Sequence, residues 1–163
     1  RYVQRLLRRP DLVDEVVNDV MLAIWQGAAR FDRGAGRPTT WAFGIAHHLA
    51  LKAWARTRRL SSEDSLDDPE AEAALEAATV AASTDHGPER TLAGRQLGRA
   101  LERALAALPI EQRAVIELAF GEQRSYDEIA SITGCPVNTV KTRVFYARQR
   151  LARLLAGAGV GEG

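Results

Sequence analysis

The sequence contains a single cysteine, and only 6% of its 163 residues are aromatic. One cysteine excludes an internal disulfide framework and suits a reducing compartment, so we expect a cytoplasmic protein. No apolar run approaches the ~18–20 residues of a membrane span and no signal peptide is visible, so we expect no membrane-spanning segment. The chain begins with Arg1 rather than methionine, and we therefore expect that the true N-terminus is missing.

The usual motifs of enzyme catalysis are also missing. There is no Ser-His-Asp order and no paired-carboxylate motif, and the glycine-containing segment 33–38 lacks the Gly-Lys-Ser/Thr ending of a phosphate-binding loop. Adjacent residues His47 and His48 would point about 100° apart on a helix, so one metal ion would not easily bind both. We therefore predict a protein that is not an enzyme and has no cofactor or metal.

Acidic residues are absent between Glu128 and Glu162, although the net charge of the whole chain is only +1. Residues 1–60 carry 11 basic and 5 acidic side chains, residues 61–93 carry 1 and 9, and residues 94–163 carry 10 and 7. Two basic modules thus flank an acidic segment that has few large apolar residues. Such a composition does not offset its ordering entropy, which predicts a flexible linker. The alternative is an acidic segment that shields or imitates nucleic acid.

Ala, Leu and Arg dominate the composition, which favours helices, so we predict an all-α protein with two small helical domains. We define the N-terminal module as residues 1–60, the linker as 61–93, the C-terminal module as 94–156 and the tail as 157–163. In the N-terminal module, Asp11 is the predicted N-cap of a helix that runs to about Ala29. Apolar residues at helical spacing predict its inward stripe: Val13, Val16, Val17, Val20 and Ile24.

A loop, residues 31–40, follows this helix, because two glycines and a proline there prohibit regular structure. A second helix comes next and has a strongly basic end. Phe31, Trp41 and Phe43 lie close to cations, which is typical of a platform for unstacked single-stranded bases. The alternative is that these rings are core residues.

The C-terminal module contains a helix-turn-helix pattern. Ser125 and Glu128 have the spacing of a capping box, Gly134 predicts a tight turn, and Pro136 opens the next helix. That helix would present polar, basic and aromatic side chains on one exposed face, as a helix that reads the major groove requires. A solvated basic face on an ordinary bundle helix is the alternative. The predicted exposed face consists of Asn138, Lys141, Thr142 and Phe145.

Three stretches resemble bacterial RNA polymerase sigma factors of the extracytoplasmic-function group. They read "EVVNDVMLAIWQGAARFD", "TTWAFGIAHHLALKAWARTRR" and "LPIEQRAVIELAFGEQRSYDEIASITGCPVNTVKTRVFYARQRL". The resemblance covers sigma region 2 (about 1–60, with a first helix that looks truncated) and sigma region 4 (about 94–155). It implies a subunit that directs polymerase to promoters and aids strand opening. The implied partners are promoter DNA, the clamp helices and flap of core RNA polymerase, and an anti-sigma factor.

The resemblance also implies a role for individual residues in three groups. Contacts to the −35 element are expected from Asn138, Thr139, Lys141, Thr142, Arg143, Phe145, Tyr146 and Arg148. Contacts to the −10 element are expected from Phe31, Asp32, Arg33, Arg37, Thr40, Trp41, His48, Lys52, Arg56 and Arg59. Binding to core polymerase is expected from Glu15, Asn18, Asp19, Leu22 and Trp25.

Three other functions are open at this point. A helix-turn-helix regulator would bind duplex DNA without being a polymerase subunit, but it would have no use for the aromatic loop. An adaptor protein without a DNA role would leave the basic helix face unexplained, and an enzyme built on His47 and His48 has the least support.

Overall fold

The structure, a computed structural model, describes residues 1–34, 36–64 and 92–157. Over these residues all regular secondary structure is helical, which confirms the predicted all-α class. Most of the predicted linker, and the tail beyond Gly157, lie outside the described residues. The elements are α1 (Tyr2–Leu7), α2 (Pro10–Ala28), α3 (Pro38–Asp64), α4 (Leu92–Ala106), α5 (Ile110–Ile116), a π-helical turn (Glu117–Gly121), α6 (Tyr126–Thr133) and α7 (Val137–Gly157).

Helix α2 begins two residues earlier than predicted, because its N-cap is Arg9 and not Asp11. Pro10 occupies the first helical position, where its fixed φ suits the helix and its missing N–H costs nothing. Arg9, in an extended conformation, holds the N-cap position without a side-chain cap. Asp11 lies in the first turn, and its carboxylate accepts a hydrogen bond of 2.6 Å from Arg9.

The predicted inward stripe of α2 is correct except at one position. Val16 and Val20 are buried, and Val13 and Ile24 are partly buried against the core. The prediction for Val17 was wrong, because this residue lies at the edge of the stripe and is 41% exposed. Val17 instead continues into an outward apolar face of α2 that also contains Met21 and Trp25.

The helix-turn-helix in the C-terminal module has the predicted local geometry. Ser125 and Glu128 form the complete capping box, in which each side chain accepts a hydrogen bond from the other residue's backbone N–H. Gly134 ends α6 with φ of 68°, a left-handed conformation in which a glycine carries no Cβ strain. Val140 and Val144 of α7 are buried, which turns the opposite side of that helix outward.

The two modules pack against each other, and their buried residues form one continuous core. Helix α6 lies along α3, while α1 contacts α5 and the π-helical turn. Arg113 of α5 is fully buried, and it donates a hydrogen bond of 2.8 Å to the backbone carbonyl of Leu6 in α1. Because α6 packs along α3, the start of α6 lies close to the loop 31–40.

Candidate nucleic-acid interface

The outward face of α7 presents six of the predicted DNA-binding residues to solvent on a single helix. Because Val140, Val144 and Ala147 point into the core, the residues between them are held toward solvent. The exposed aromatic rings of Phe145 and Tyr146 pack edge to face, with centroids 5.5 Å apart. The predicted residues exposed on this helix are Asn138, Lys141, Thr142, Phe145, Tyr146 and Arg148.

Two other residues predicted to contact the −35 element lie off this exposed face. Thr139 is half-buried. Arg143 is also half-buried, and its guanidinium lies 3.9 Å from the sulfur of Cys135. The structure therefore brings six of the eight predicted residues onto one outward surface and turns these two toward the protein.

The loop 31–40 carries an aromatic pair, as the sequence suggested. The rings of Phe31 and Trp41 are tilted by 41° with centroids 5.0 Å apart, and both side chains are half-buried. Trp41 lies so close to α2 that a Cβ at Gly27 would be 2.8 Å from its ring, so a larger residue there would force the ring to move. Asp32 stabilises the turn by accepting a hydrogen bond of 2.8 Å from the N–H of Gly34.

A cleft of about 700 Å³ opens beside this aromatic pair, and both modules line it. The guanidinium of Arg37 lies 3.6 Å from the carboxylate of Glu128. Asp127 and Glu128, the two acidic residues at the start of α6, were not among the predicted site residues. No sequence signal could have found them, because only tertiary packing brings them to the loop. The C-terminal module contributes Ser125, Asp127, Glu128 and Ser131 to the lining, and the loop with its two flanking residues contributes Arg30, Phe31, Asp32, Gly36, Arg37, Thr40 and Trp41.

The basic end of α3 continues from the loop as an exposed row of predicted −10 contacts. His48, Lys52, Arg56 and Arg59 are all exposed, and so are Arg33 and Arg37 in the loop. Arg56 is ion-paired with Glu15 of α2 at 2.6 Å. The surface predicted for the −10 element and the surface predicted for polymerase thus meet at this pair.

His47, unlike its neighbour His48, lies between the modules and is only 6% exposed. Its Nδ1 is 2.8 Å from the hydroxyl of Tyr2, and these two atoms share a hydrogen bond. Burial lowers the pKa of His47 to about 4, with smaller contributions from the positive charges of Arg143 and His48, while Glu111 acts in the opposite sense. His47 is therefore neutral at physiological pH.

A buried carboxylate, Glu117, lies at the junction of α1 with the π-helical turn. Arg5 and Arg8 of α1 approach it to 3.1 and 3.8 Å, and Arg5 also pairs with Glu122. Burial raises the pKa of Glu117 even though Arg5, Arg8 and Arg113 lower it. Desolvation thus outweighs three neighbouring cations at this carboxylate.

The outward face of α2 combines exposed apolar and polar side chains. Trp25 is 77% exposed, and Met21 and Leu22 are also exposed. A contiguous exposed patch of apolar residues marks an interaction site, and aromatic residues and methionine are enriched in protein–protein interfaces. All five residues predicted to bind core polymerase lie on exposed positions of this helix: Glu15, Asn18, Asp19, Leu22 and Trp25.

Among the described residues, no group of three or more His, Cys, Asp and Glu side chains is arranged to hold a metal ion. In the same part of the chain, none of the helices combines the length and apolar character that crossing a bilayer requires.

Known proteins match both modules. The family described as Sigma-70 region 2 matches residues 1–60, and the family described as Sigma-70, region 4 matches residues 98–151. The chain is 33% identical to the ECF RNA polymerase sigma factor RpoE of Cereibacter sphaeroides, over 85% of this chain and 69% of that protein. It is 29% identical to the ECF RNA polymerase sigma-E factor of Escherichia coli (strain K12), over 85% of this chain and 71% of that protein.

A solved structure has the same fold. It is the co-crystal structure of the sigma factor RpoE in complex with the anti-sigma factor NepR from Bartonella quintana. The TM-score is 0.68 at 24% identity, and the match covers 95% of this chain and 88% of that one.

The chain therefore belongs to the sigma-70 family, within its extracytoplasmic-function group of RNA polymerase sigma factors. It acts in promoter recognition and transcription initiation, and it is a non-catalytic subunit of the polymerase. This result confirms the resemblance stated from the sequence. The match to region 2 decides against a helix-turn-helix regulator that acts without polymerase.

Proposed function

We propose that this sigma factor reads its promoters through two surfaces and binds core polymerase through a third. The exposed face of α7 binds the −35 duplex, and the loop 31–40 with the basic end of α3 binds the melted −10 strand. The outward face of α2 binds the polymerase clamp helices, and the C-terminal module binds the flap. This proposal rests on one difference between two helices. The exposed face of α7 carries basic side chains, whereas the outward face of α2 carries acidic and apolar ones.

The charge of each surface supports this division. The exposed side chains of α7 are basic, polar or aromatic, and a polyanion is attracted to them. The face of α2 carries Glu15 and Asp19 beside Trp25, and carboxylates repel phosphate. A protein partner therefore suits α2 better than DNA does.

The relative from Bartonella quintana was crystallised with an anti-sigma factor, which supports an anti-sigma factor as a partner here too. We also propose a cytoplasmic location, because polymerase and promoters are there. The module boundaries at residues 60, 93 and 156 belong to the same proposal.

The test is transcription of genomic DNA fragments by purified core polymerase, with and without this chain, followed by mapping of transcript starts. Transcripts that start at a shared pair of promoter elements only when the chain is present are the expected result. Absence of chain-dependent transcripts, with a reference sigma factor active in parallel, would contradict the proposal.

The clamp assignment is tested by Trp25→Ala and by the double variant Glu15→Lys/Asp19→Lys. Truncating an exposed aromatic anchor typically costs 2 kcal/mol or more, so binding to core should weaken by about 30-fold. Gln26→Ala is the matched control, because Gln26 is exposed on the same helix next to Trp25. Circular dichroism checks that each variant folds. A folded double variant that binds core normally would remove the assignment.

A further inference from the structure

The exposed face of α7 has an apolar centre that its basic charge does not explain. Phe145 and Tyr146 are 57% and 55% exposed, so neither ring serves the core of the module. The two rings pack edge to face, with an angle of 73° between their planes. Because each ring lies against the other, the pair presents one fixed apolar surface to solvent rather than two independent side chains.

Thr142 extends this apolar surface by a methyl group. It lies three and four positions before the two rings, so all three side chains share one stripe of the helix. Its hydroxyl donates a hydrogen bond of 2.9 Å to the backbone carbonyl of Asn138. With its proton used inside the helix, Thr142 offers an outside partner only an acceptor oxygen and a methyl group. Together Thr142, Phe145 and Tyr146 form the apolar cluster of α7.

Cations lie on both sides of this cluster along the helix. Lys141 is one turn before Phe145 and Arg148 is one turn after it, and both are exposed. These charges attract a polyanion to this side of α7. The ring of Phe145 and the methyl group of Thr142 cannot form hydrogen bonds with it. The apolar group that a base edge presents in the major groove is the C5-methyl group of thymine.

We propose that the apolar cluster of α7 binds the C5-methyl groups of pyrimidines in the major groove of the −35 element. This inference rests on the proposed function of α7 and names the chemical group that is read there. Thr142 and Tyr146 are about 6 Å apart along the helix axis, which corresponds to about two base-pair steps of ~3.4 Å. We therefore expect one thymine, or two at adjacent positions, opposite the cluster. Because 5-methylcytosine carries the same methyl group, it should be bound in the same way.

The experiment uses core polymerase loaded with this chain and a promoter fragment taken from the mapped transcript starts. Each thymidine on either strand of the −35 element is replaced in turn by deoxyuridine, which removes the methyl group and keeps every hydrogen-bonding group of the base. Competition with the unaltered fragment gives the relative affinity. Burial of one methyl group corresponds to about a fourfold change in affinity. We expect a loss of this size at one position or two adjacent ones, and no loss elsewhere.

A second series of fragments distinguishes the two pyrimidines that carry the methyl group. At a position where deoxyuridine weakens binding, the T·A pair is replaced by C·G, and then by the same pair with 5-methylcytosine. The methylated pair should bind about fourfold more tightly than the unmethylated pair, because only the methyl group differs. Equal binding of the two C·G fragments would show that the cluster does not recognise the methyl group.

Variants of the cluster test whether its rings make the methyl contact. Phe145→Ala should reduce the difference in affinity between thymine and uracil, and the double variant Phe145→Ala/Tyr146→Ala should abolish it. Tyr146→Phe should keep the difference, because it removes only a hydroxyl group. Phe120→Ala is the matched control, since Phe120 is also exposed but lies in the π-helical turn and not on α7. Circular dichroism checks that each variant folds.

The outcomes separate this inference from the proposed function. If no transcript depends on the chain, the proposed function fails and this inference falls with it. If promoters are found but uracil replaces every thymine of the −35 element without loss, or the element contains no thymine, only this inference is overturned. A loss that persists in the folded double variant also overturns it, because the methyl group then acts through the duplex and not through the two rings.

Discussion

The two surfaces proposed for promoter DNA differ in what surrounds them. The reading face of α7 points into solvent, and its residues follow one another at helical spacing. The loop 31–40 faces the other module, and an ion pair from Arg37 to Glu128 crosses the cleft between them. The first surface is thus defined by a single helix, whereas the second is defined by how two modules meet. Local sequence signals predict most of the exposed face of α7, whereas they do not predict which residues lie across the cleft from the loop.

The largest effect that would sharpen this comparison is expected at the exposed face of α7. Lys141→Ala and Thr142→Ala should each weaken binding to a −35 duplex by ~1–3 kcal/mol and relax discrimination at one or two base pairs. Anisotropy with a panel of single-base variants of the duplex measures it. Equal losses on every duplex would count against base reading by these two residues.

The next effect is a pH dependence of the free energy of unfolding. It depends on His47, which is buried between the modules. Its pKa is lowered to about 4 from 6.5, so its neutral form favours the folded state, and stability is lost as pH falls below 6.5. Between pH 7.5 and 5.5 this amounts to ~1.4 kcal/mol. Burial is the main cause of this shift; Arg143 and His48 lower the pKa further, and Glu111 raises it.

The measurement is the free energy of unfolding in urea at both pH values, for the unaltered chain and for His47→Gln. The glutamine variant should lose ~1.4 kcal/mol less than the unaltered chain on acidification. Glu117, whose raised pKa acts in the opposite sense, is present in both proteins and cancels in the difference. Identical pH dependence in the two proteins would show that His47 is not buried in solution.

A smaller effect is expected at two arginines beside the exposed face of α7. Arg148 and Arg150 are exposed on α7 beyond its reading residues, and we expect them to contact phosphates. Replacing either with Ala should weaken binding to all duplexes equally and reduce the slope of log affinity against log salt by about 1. Titrations at several salt concentrations test this. A loss confined to one sequence would contradict a phosphate contact.

The smallest effect is expected at Arg37, whose exposed guanidinium lies 3.6 Å from the carboxylate of Glu128. Arg37→Gln removes one cation that would attract the −10 strand, while Glu128 keeps Arg124 as a partner at 3.5 Å. Because exposed charges are screened by salt, we expect only about a twofold loss of affinity for a single-stranded −10 oligonucleotide. Anisotropy at low and at high salt measures this loss. An unchanged affinity at low salt would remove Arg37 from the predicted −10 contacts.

Much of the fold could be predicted from the sequence because its signals are local. The capping box at Ser125, the turn at Gly134 and the buried pair Val140 and Val144 are each determined by residues within a few positions of one another. The prediction of Asp11 as the N-cap of α2 was wrong because Pro10 already occupies the first helical position.

The exposure of Val17 and the partial burial of Arg143 could not be predicted, since each depends on what packs against the helix. The same reason explains why Asp127 and Glu128 were missed beside the loop. They lie about ninety positions from it along the chain, and only the contact between α3 and α6 brings them there. A spacing pattern carries no information about such a contact.

Arg113 shows how a buried cation between the modules is kept paired. Its guanidinium donates to the carbonyls of Leu105, Ala106 and Leu108 within its own module and to the carbonyl of Leu6 in α1. The same guanidinium lies 6.0 Å from the ring centroid of Trp54 in α3. A buried charge left without partners costs ~3–5 kcal/mol. Because three of these acceptors belong to its own module, the charge of Arg113 stays compensated even where the contacts with Leu6 and Trp54 are lost.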